Sequence, residues 1–326
     1  MTKFIRRLQR IGSSILVSLP KEWVDANNLD KSSQVELETG QDSISISANK
    51  EIRPTKELVI SYPLPKEENI VADITGAYLL GYDIIQINSK SIIPGEDREQ
   101  IRNSMRRLVG MEIIEEDAYH INMQFLLDAT TLNPQKILKR MSSIALGMYD
   151  DATNGLTSDD KSNLQTIPNR DVEVNRQYFL LVRLIRSTLV DRRLATTFNL
   201  ENIDILDYRV AANLLENAGD SIVELSNLIY NSSLSKEHTK KIFIVVKNFS
   251  ILAEKSIDAF TKPDRLLAIE TISSYKELED KLGSLRASLD KKKEIPIDFL
   301  DLIYMFEKVI QSWADVADLV KPIYNE

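Results

Sequence analysis

Leu214-Leu-Glu-Asn-Ala-Gly-Asp-Ser-Ile-Val-Glu-Leu225 lies in the middle of a run, 202–232, that holds no proline and a single glycine. Its apolar residues Ala211, Leu214, Leu215, Ala218, Ile222, Leu225 and Ile229 recur with the 3.6-residue period of a helix that covers one face. At 100° per residue, Glu216 and Asp220 fall about 150–170° from the centre of that stripe. The pattern predicts them as neighbours on the outer face, with Glu224 one turn on. Carboxylates at i and i+4 repel by about 0.2–0.5 kcal/mol on an exposed helix. A cation with oxygen ligands would turn that repulsion into attraction. From spacing alone, a solvated acidic face with Lys or Arg neighbours is the favoured reading. The same spacing recurs at Asp171–Asn175 and Glu254–Asp258, and in altered form at Glu307–Gln311.

Working outward, everything from Pro134 onward is helical in pattern. The predicted helices are 134–156, 170–197, 202–232, 235–260, 264–290 and 296–323. Their breaks fall at Asp159-Asp160, Asn199, Ser232-Ser233, Lys262-Pro263 and Ile295-Pro296. Long helices with short connections imply up-down bundles, most simply two trios, divided near Leu234.

Residues 56–128 read differently. Leu58–Ser61 and Ile84–Ile87 have strand character, Ile70–Leu80 and Asp97–Val109 helical character, and Glu112–Ile114 with His120–Leu126 a closing hairpin. The order β-α-β-α-β-β predicts a small open-faced sandwich. No glycine-rich phosphate loop is present.

The first 48 residues predict short strands around one helix. Gly12-Ser13-Ser14 reads as a turn, Pro20 as the start of a helix over Lys21–Asn28, and Val35–Glu38 with Ile44–Ile46 as a hairpin turning at Gly40. So few strands cannot bury enough apolar surface alone, which implies dimerisation.

Composition narrows the chemistry. The 326 residues contain 0 Cys and 2 His, which excludes disulfides, zinc ribbons, thiol nucleophiles and His-rich metal sites. A metal here would rest on carboxylates and other oxygen donors. His120 reads as structural in a strand, and His238 as a helix-start residue. The net charge of −8 hides an asymmetry: residues 1–21 carry Lys3, Arg6, Arg7, Arg10 and Lys21 with no acid, so this +5 segment leaves −13 on the remainder. Such a basic head suits phosphate contacts whose affinity depends on salt. No apolar run approaches a membrane span, and the chain reads as cytoplasmic. Arg183, Arg186, Arg192 and Arg193 read as partners of neighbouring acids. Trp23 is expected in a small barrel and Trp313 in a bundle core.

Two stretches resemble known families. Residues 203–229, with Leu-Leu-Glu-Asn-Ala-Gly-Asp, are similar to the PhoU signature Leu-Glu-Arg-Ile-Gly-Asp. The upstream helix from Asp171 through Arg186 resembles the second helix of that family. Weaker echoes occur at Asp264–Glu270 and Phe306–Asp315. Ile11-Gly-Ser-Ser-Ile-Leu-Val-Ser-Leu-Pro-Lys-Glu-Trp-Val24, continued by Asn28–Leu37, resembles the AbrB/SpoVT swapped-hairpin DNA-binding domain. The combined order resembles archaeal-type PhoU-related regulators. Asn175 and Gln311 stand where the PhoU family has Asp, and Tyr275 stands where an acid begins the motif that Glu279 would finish. In the head, Ser32-Ser33 replaces a Gly-Asp turn.

The resemblance implies a multidomain α+β protein. Its parts are an AbrB-like half-barrel over 1–50, an α/β sandwich over 51–130, and PhoU-like three-helix bundles over 131–234 and 235–326. It implies a non-enzymatic regulator of phosphate uptake, a homodimer whose head binds operator DNA through Lys3, Arg6, Arg7, Arg10 and Lys21. It further implies a divalent or trivalent metal held by Asp171, Asn175, Glu216, Asp220, Glu254, Asp258 and Glu307. An adaptor that docks on a phosphate transporter ATPase or a sensor, using the head only to dimerise, is the alternative. A carboxylate-metal hydrolase fits least, because no nucleophile is evident.

Overall fold

The computed structural model describes residues 3–39, 43–48, 55–288 and 296–320. The predicted Gly40 turn, the junction at 50–51 and the ends of the predicted helices at 289–290 and 321–323 lie outside the described residues. The chain divides into two compact units, Met1–Thr55 and Lys56–Glu326.

In the first unit, β1 (Gln9–Ile11) pairs antiparallel with β2 (Ser14–Leu16) around Gly12. Gly12 has φ +61°, a conformation glycine adopts without a Cβ penalty. Helix α1 (Lys21–Ala26) starts after Pro20 as expected, and β3 (Val35–Thr39) pairs with β4 (Ile44–Ala48). None of its described residues is buried. Ile5 and Leu8 are 94% and 71% exposed, and Ile11, Ile15, Leu37 and Ile44 are exposed with them. The unit has the side chains of a core and no interior to put them in.

The second unit opens with β5 (Glu57–Tyr62), α2 (Ile70–Leu79), β6 (Ile84–Ser89), α3 (Gly95–Met105), β7 (Met111–Glu116) and β8 (His120–Phe125). The sheet order is β5-β6-β8-β7, with only β5 and β6 parallel, as a β-α-β crossover requires. Strand alternation puts Ile60, Ile85, Ile87, Ile121 and Met123 in a core with Ile74, Tyr78 and Ile101 of the helices. The opposite face bears Val59, Gln86, Asn88 and Gln124 and is uncovered by helices of this sandwich.

The helices that follow are α4 (Pro134–Gly155), α5 (Ile167–Val190), α6 (Arg192–Thr197), α7 (Asn202–Asn231), α8 (Lys236–Val246), α9 (Phe249–Thr261), α10 (Arg265–Ala287) and α11 (Ile297–Asp318). Side chains mark several starts. Asn133 accepts from the Lys136 amide before Pro134, Asp264 accepts from Leu267, and Glu201 with Asp204 forms a capping box on α7. Helices α4, α5 and α7 form one trio and α9, α10 and α11 another, but a single hydrophobic core runs through both. Its bridge is α7 against α11. Trp313 is fully buried there, as expected, and its Nε1 donates to Ser142 Oγ at 3.1 Å.

Two predicted helices are each broken in two. The 170–197 segment ends α5 at Asp191, whose side chain caps α6 by accepting from the Arg193 amide. The 235–260 segment breaks at Lys247-Asn248 without Gly or Pro. The break turns Phe249 into the core against Tyr149, Tyr275 and Trp313, and Tyr149 Oη donates to the freed Val246 carbonyl at 3.1 Å. Packing decides this boundary, not local propensity.

Candidate functional site

Helices α5 and α7 run side by side, and Gly219 is the reason they come close at one point. A Cβ at Gly219 would meet Asp171 Oδ1 at 2.5 Å, so any larger residue would push the carboxylate away. Asp171 is buried, 8% exposed, and its Oδ1 has no hydrogen-bond partner. Its other oxygen accepts from Asn175 Nδ2 at 2.9 Å. Burial, and then the charge of Asp220, push the Asp171 carboxyl up to about 6. Glu216 is half-buried, and its carboxyl is raised by burial first and then by the charges of Asp220 and Asp171. The Arg209 guanidinium opposes that rise.

Asp171, Asn175, Glu216 and Asp220 therefore form one cluster across two helices. The outer-face expectation holds for Asp220, which is exposed, and fails for Glu216. The wheel assumed one covered face, whereas α7 is packed by α4, α5 and α11 together, so its covered arc is wider. The donor chemistry suits a hard cation: carboxylates, one amide oxygen and a buried oxygen lacking a partner. The spacing is open. Among the described residues, no three His, Cys, Asp or Glu side chains are grouped closely enough to hold a metal as they stand.

The other predicted metal ligands are not in this cluster. Asp258 accepts from Lys139 Nζ at 2.8 Å and from Lys262 Nζ at 3.0 Å, and these hydrogen bonds hold its carboxyl below its usual value. Glu254 is exposed one turn away. Glu307 accepts from Arg286 Nη2 at 2.7 Å, and Gln311 donates to Asp315. Tyr275 is fully buried beside Phe249, on the face opposite to any surface ligand. Asp258 and Glu307 of the second trio are thus met by the chain's own cations. Asp258→Asn is expected to cost no more than about 1 kcal/mol, the worth of an exposed pair, in chemical denaturation. It should leave the pH dependence that Asp171 gives to stability unchanged.

In the head, Lys3, Arg6, Arg7, Arg10 and Lys21 are all exposed. Arg6 lies 5.4 Å from the Phe4 ring centroid, and Arg10 Nε donates to the Gly12 carbonyl across the β1–β2 turn at 3.2 Å. Among the arginines expected to pair with acids, Arg193 meets Asp191 at 3.0 Å, and the Arg192 side chain lies outside the described residues. Arg183 meets Asp83 at 3.2 Å but does more than pair. It is 4% exposed, and its Nη1 donates to the carbonyls of Tyr78 and Tyr82 at the end of α2, each at 2.8 Å. Sequence pattern missed that role. The sole signal was an arginine inside the apolar run Phe179–Ile185.

Residues 138–229 match the profile of the PhoU domain, which spans α5, α7 and most of α4. Residues 8–55 match that of the antidote-toxin recognition domain MazE, a bacterial antitoxin. Among solved structures, PhoU from Pseudomonas aeruginosa is similar at 17% identity, over 57% of this chain and 93% of that one, with a TM-score of 0.49. The phosphate transport system regulatory protein PhoU from Streptococcus pneumoniae is similar at 16% identity, over 57% and 91%, with a TM-score of 0.46. No curated protein matches the chain by sequence. Among the described residues, no helix is long and apolar enough to cross a membrane. The carboxylate cluster falls inside the first match and the basic segment from Arg10 to Lys21 inside the second, so the chain joins a PhoU-family domain to an AbrB/MazE-like N-terminal domain.

Proposed function

We propose that this protein is a non-catalytic regulator of phosphate uptake, a homodimer that contacts operator DNA through its head and senses its signal through the helical domain. The observation that carries the reading is the coincidence of two domain matches with two separate chemistries. Exposed Arg10 and Lys21 lie in the MazE-like match with Lys3, Arg6 and Arg7 just ahead of it, and a strained carboxylate cluster lies in the PhoU match.

Dimerisation follows from the head's apolar side chains. Ile5, Leu8, Ile11, Ile15 and Ile44 are exposed in a unit none of whose described residues is buried, and a second copy of the same surface would give them an interior. Pairing would also bring two +5 segments together, which suits phosphate backbones. In the bundle, a cation between Asp171, Glu216 and Asp220 would supply the missing partner of Asp171 Oδ1 and relieve the repulsion among the three acids. One cation per chain follows, because Asp258 and Glu307 already have lysine and arginine partners.

A mobility shift with promoter DNA of a phosphate-uptake operon from the same genome tests the reading. Replacing Arg6, Arg7 and Arg10 together with Ala should weaken binding by about tenfold or more near 150 mM salt and flatten its salt dependence. Unaltered binding would remove these side chains from the mechanism. If the wild-type protein shows no salt-sensitive affinity for DNA and retrieves a transporter ATPase instead, the head serves dimerisation and the protein is an adaptor.

A further inference from the structure

Helices α7 and α10 both pack against α11 and leave a trough of about 1150 Å³ over its outward side. The floor is one face of α11, where Tyr304, Lys308, Gln311 and Asp315 follow at helical spacing. Tyr304 is 61% exposed there. Leu214 and Asp220 line the α7 wall, and Glu279, Asp280 and Gly283 line the α10 wall. Gly283 keeps that wall low, since a Cβ built on it would touch nothing within 4 Å. Three helices therefore surround a vacant fourth position. The volume matches about two to three turns of a helix ~10 Å across.

The charge of the trough specifies the occupant. Its two bases are committed: Arg286 to Glu307 at 2.7 Å, and Lys308 to Glu224 at 3.6 Å. Glu279 and Asp280 form no ion pair among the described residues, and exposed Asp220 lines the facing wall on α7. A concave wall lined by one sign of charge focuses its field on a partner of the opposite sign. The negative wall disfavours nucleic acid, and the acids are strung along separate helices instead of grouped round one ion. Tyr304 and Leu214 offer an apolar strip between the charged walls, the layout that receives an amphipathic helix.

We propose that this trough is a docking groove for a basic amphipathic helix of a partner protein. The proposal does not depend on cation binding at Asp171 or on DNA binding by the head. Fluorescence anisotropy on the full-length protein tests it, using a labelled amphipathic peptide of about 14 residues with Lys flanking a Leu face. The same peptide with every Lys changed to Glu is the control.

The Lys peptide should bind and the Glu peptide should not, with affinity falling by about tenfold from low to physiological salt. Gly283→Trp, which fills the trough, and the pair Glu279→Lys with Asp280→Lys should each weaken binding by about tenfold or more. The pair Glu67→Lys with Glu68→Lys makes the same change in net charge on an exposed loop of the α/β layer and should leave binding nearly unchanged. Circular dichroism should show all variants folded. Equal loss in the Glu67/Glu68 pair, or full binding by Gly283→Trp, would reduce the effect to general attraction by an acidic protein and overturn the groove.

Discussion

Arg183→Met is expected to lower the unfolding free energy by about 3–5 kcal/mol, the largest effect of any single change considered for this chain. The guanidinium is buried and serves five groups at once. It donates to two carbonyls at the C-terminal end of α2, pairs with Asp83, and lies over the Phe125 ring at 3.9 Å and the Tyr78 ring at 5.0 Å. A methionine fills the volume but leaves both carbonyls and the carboxylate without those donors, and unmet buried groups cost more than the bonds themselves were worth. Arg183→Lys should recover less than half of the loss. One ammonium on a flexible stem cannot reproduce a planar fork that reaches two carbonyls and a carboxylate together. Urea denaturation measures the effect, and amide hydrogen exchange places it: protection should fall first at 76–83, where α2 ends. A loss below about 1 kcal/mol would mean that the apolar contact of Phe179 with the α/β core holds α5 there unaided.

Periodicity was enough to find this architecture, and packing supplied what it could not. The succession of elements in the α/β layer and six helical segments follow from apolar spacing, because burial of one face leaves a direct trace in sequence. The break at Asp191 was readable and passed over, since an Asp before a helical run is a cap signal. The break at Lys247-Asn248 was not readable. It exists because Phe249 must enter a core built by residues from α4, α10 and α11, and no local residue type announces it.

The site divides in the same way. The i,i+4 pair on α7 is visible from spacing, whereas its partnership with Asp171 came only from the family resemblance. The lysine beside Asp258 lies 119 residues away in the chain, so no pattern along one helix could have revealed it. Tyr275 was readable and passed over. Ala268, Thr271, Tyr275, Leu278 and Leu282 are all buried and recur at helical spacing, which places Tyr275 in the core stripe of α10 and not on a ligand face.

Asp171→Asn should stabilise the cation-free protein above pH 7 by about 2 kcal/mol while abolishing its response to added Mn²⁺. The sign follows from proton binding. Unfolded, this carboxyl titrates near its ordinary 3.8, whereas in the folded protein burial and the neighbouring Asp220 hold it at about 6. Between those values the folded chain keeps a proton that the unfolded chain has released, so stability falls as pH rises through that window and stays low above it. Two units of pKa correspond to about 2–3 kcal/mol, the ceiling of the effect. A neutral amide removes the penalty, so wild type and variant should converge near pH 4, separate as pH rises from there to 6, and keep a constant gap above it. Mn²⁺ should act oppositely on the two. It gives the ionised Asp171 the partner its Oδ1 lacks, and so raises the melting temperature of the wild type at pH 8 in proportion to binding. The Asn variant, already relieved, should stay where it was. Parallel pH–stability curves for the two proteins would show that Asp171 is ionised and satisfied without an ion. A wild-type melting temperature indifferent to Mn²⁺, Mg²⁺ and Fe³⁺ would leave the cluster as a site of strain with no cation to relieve it.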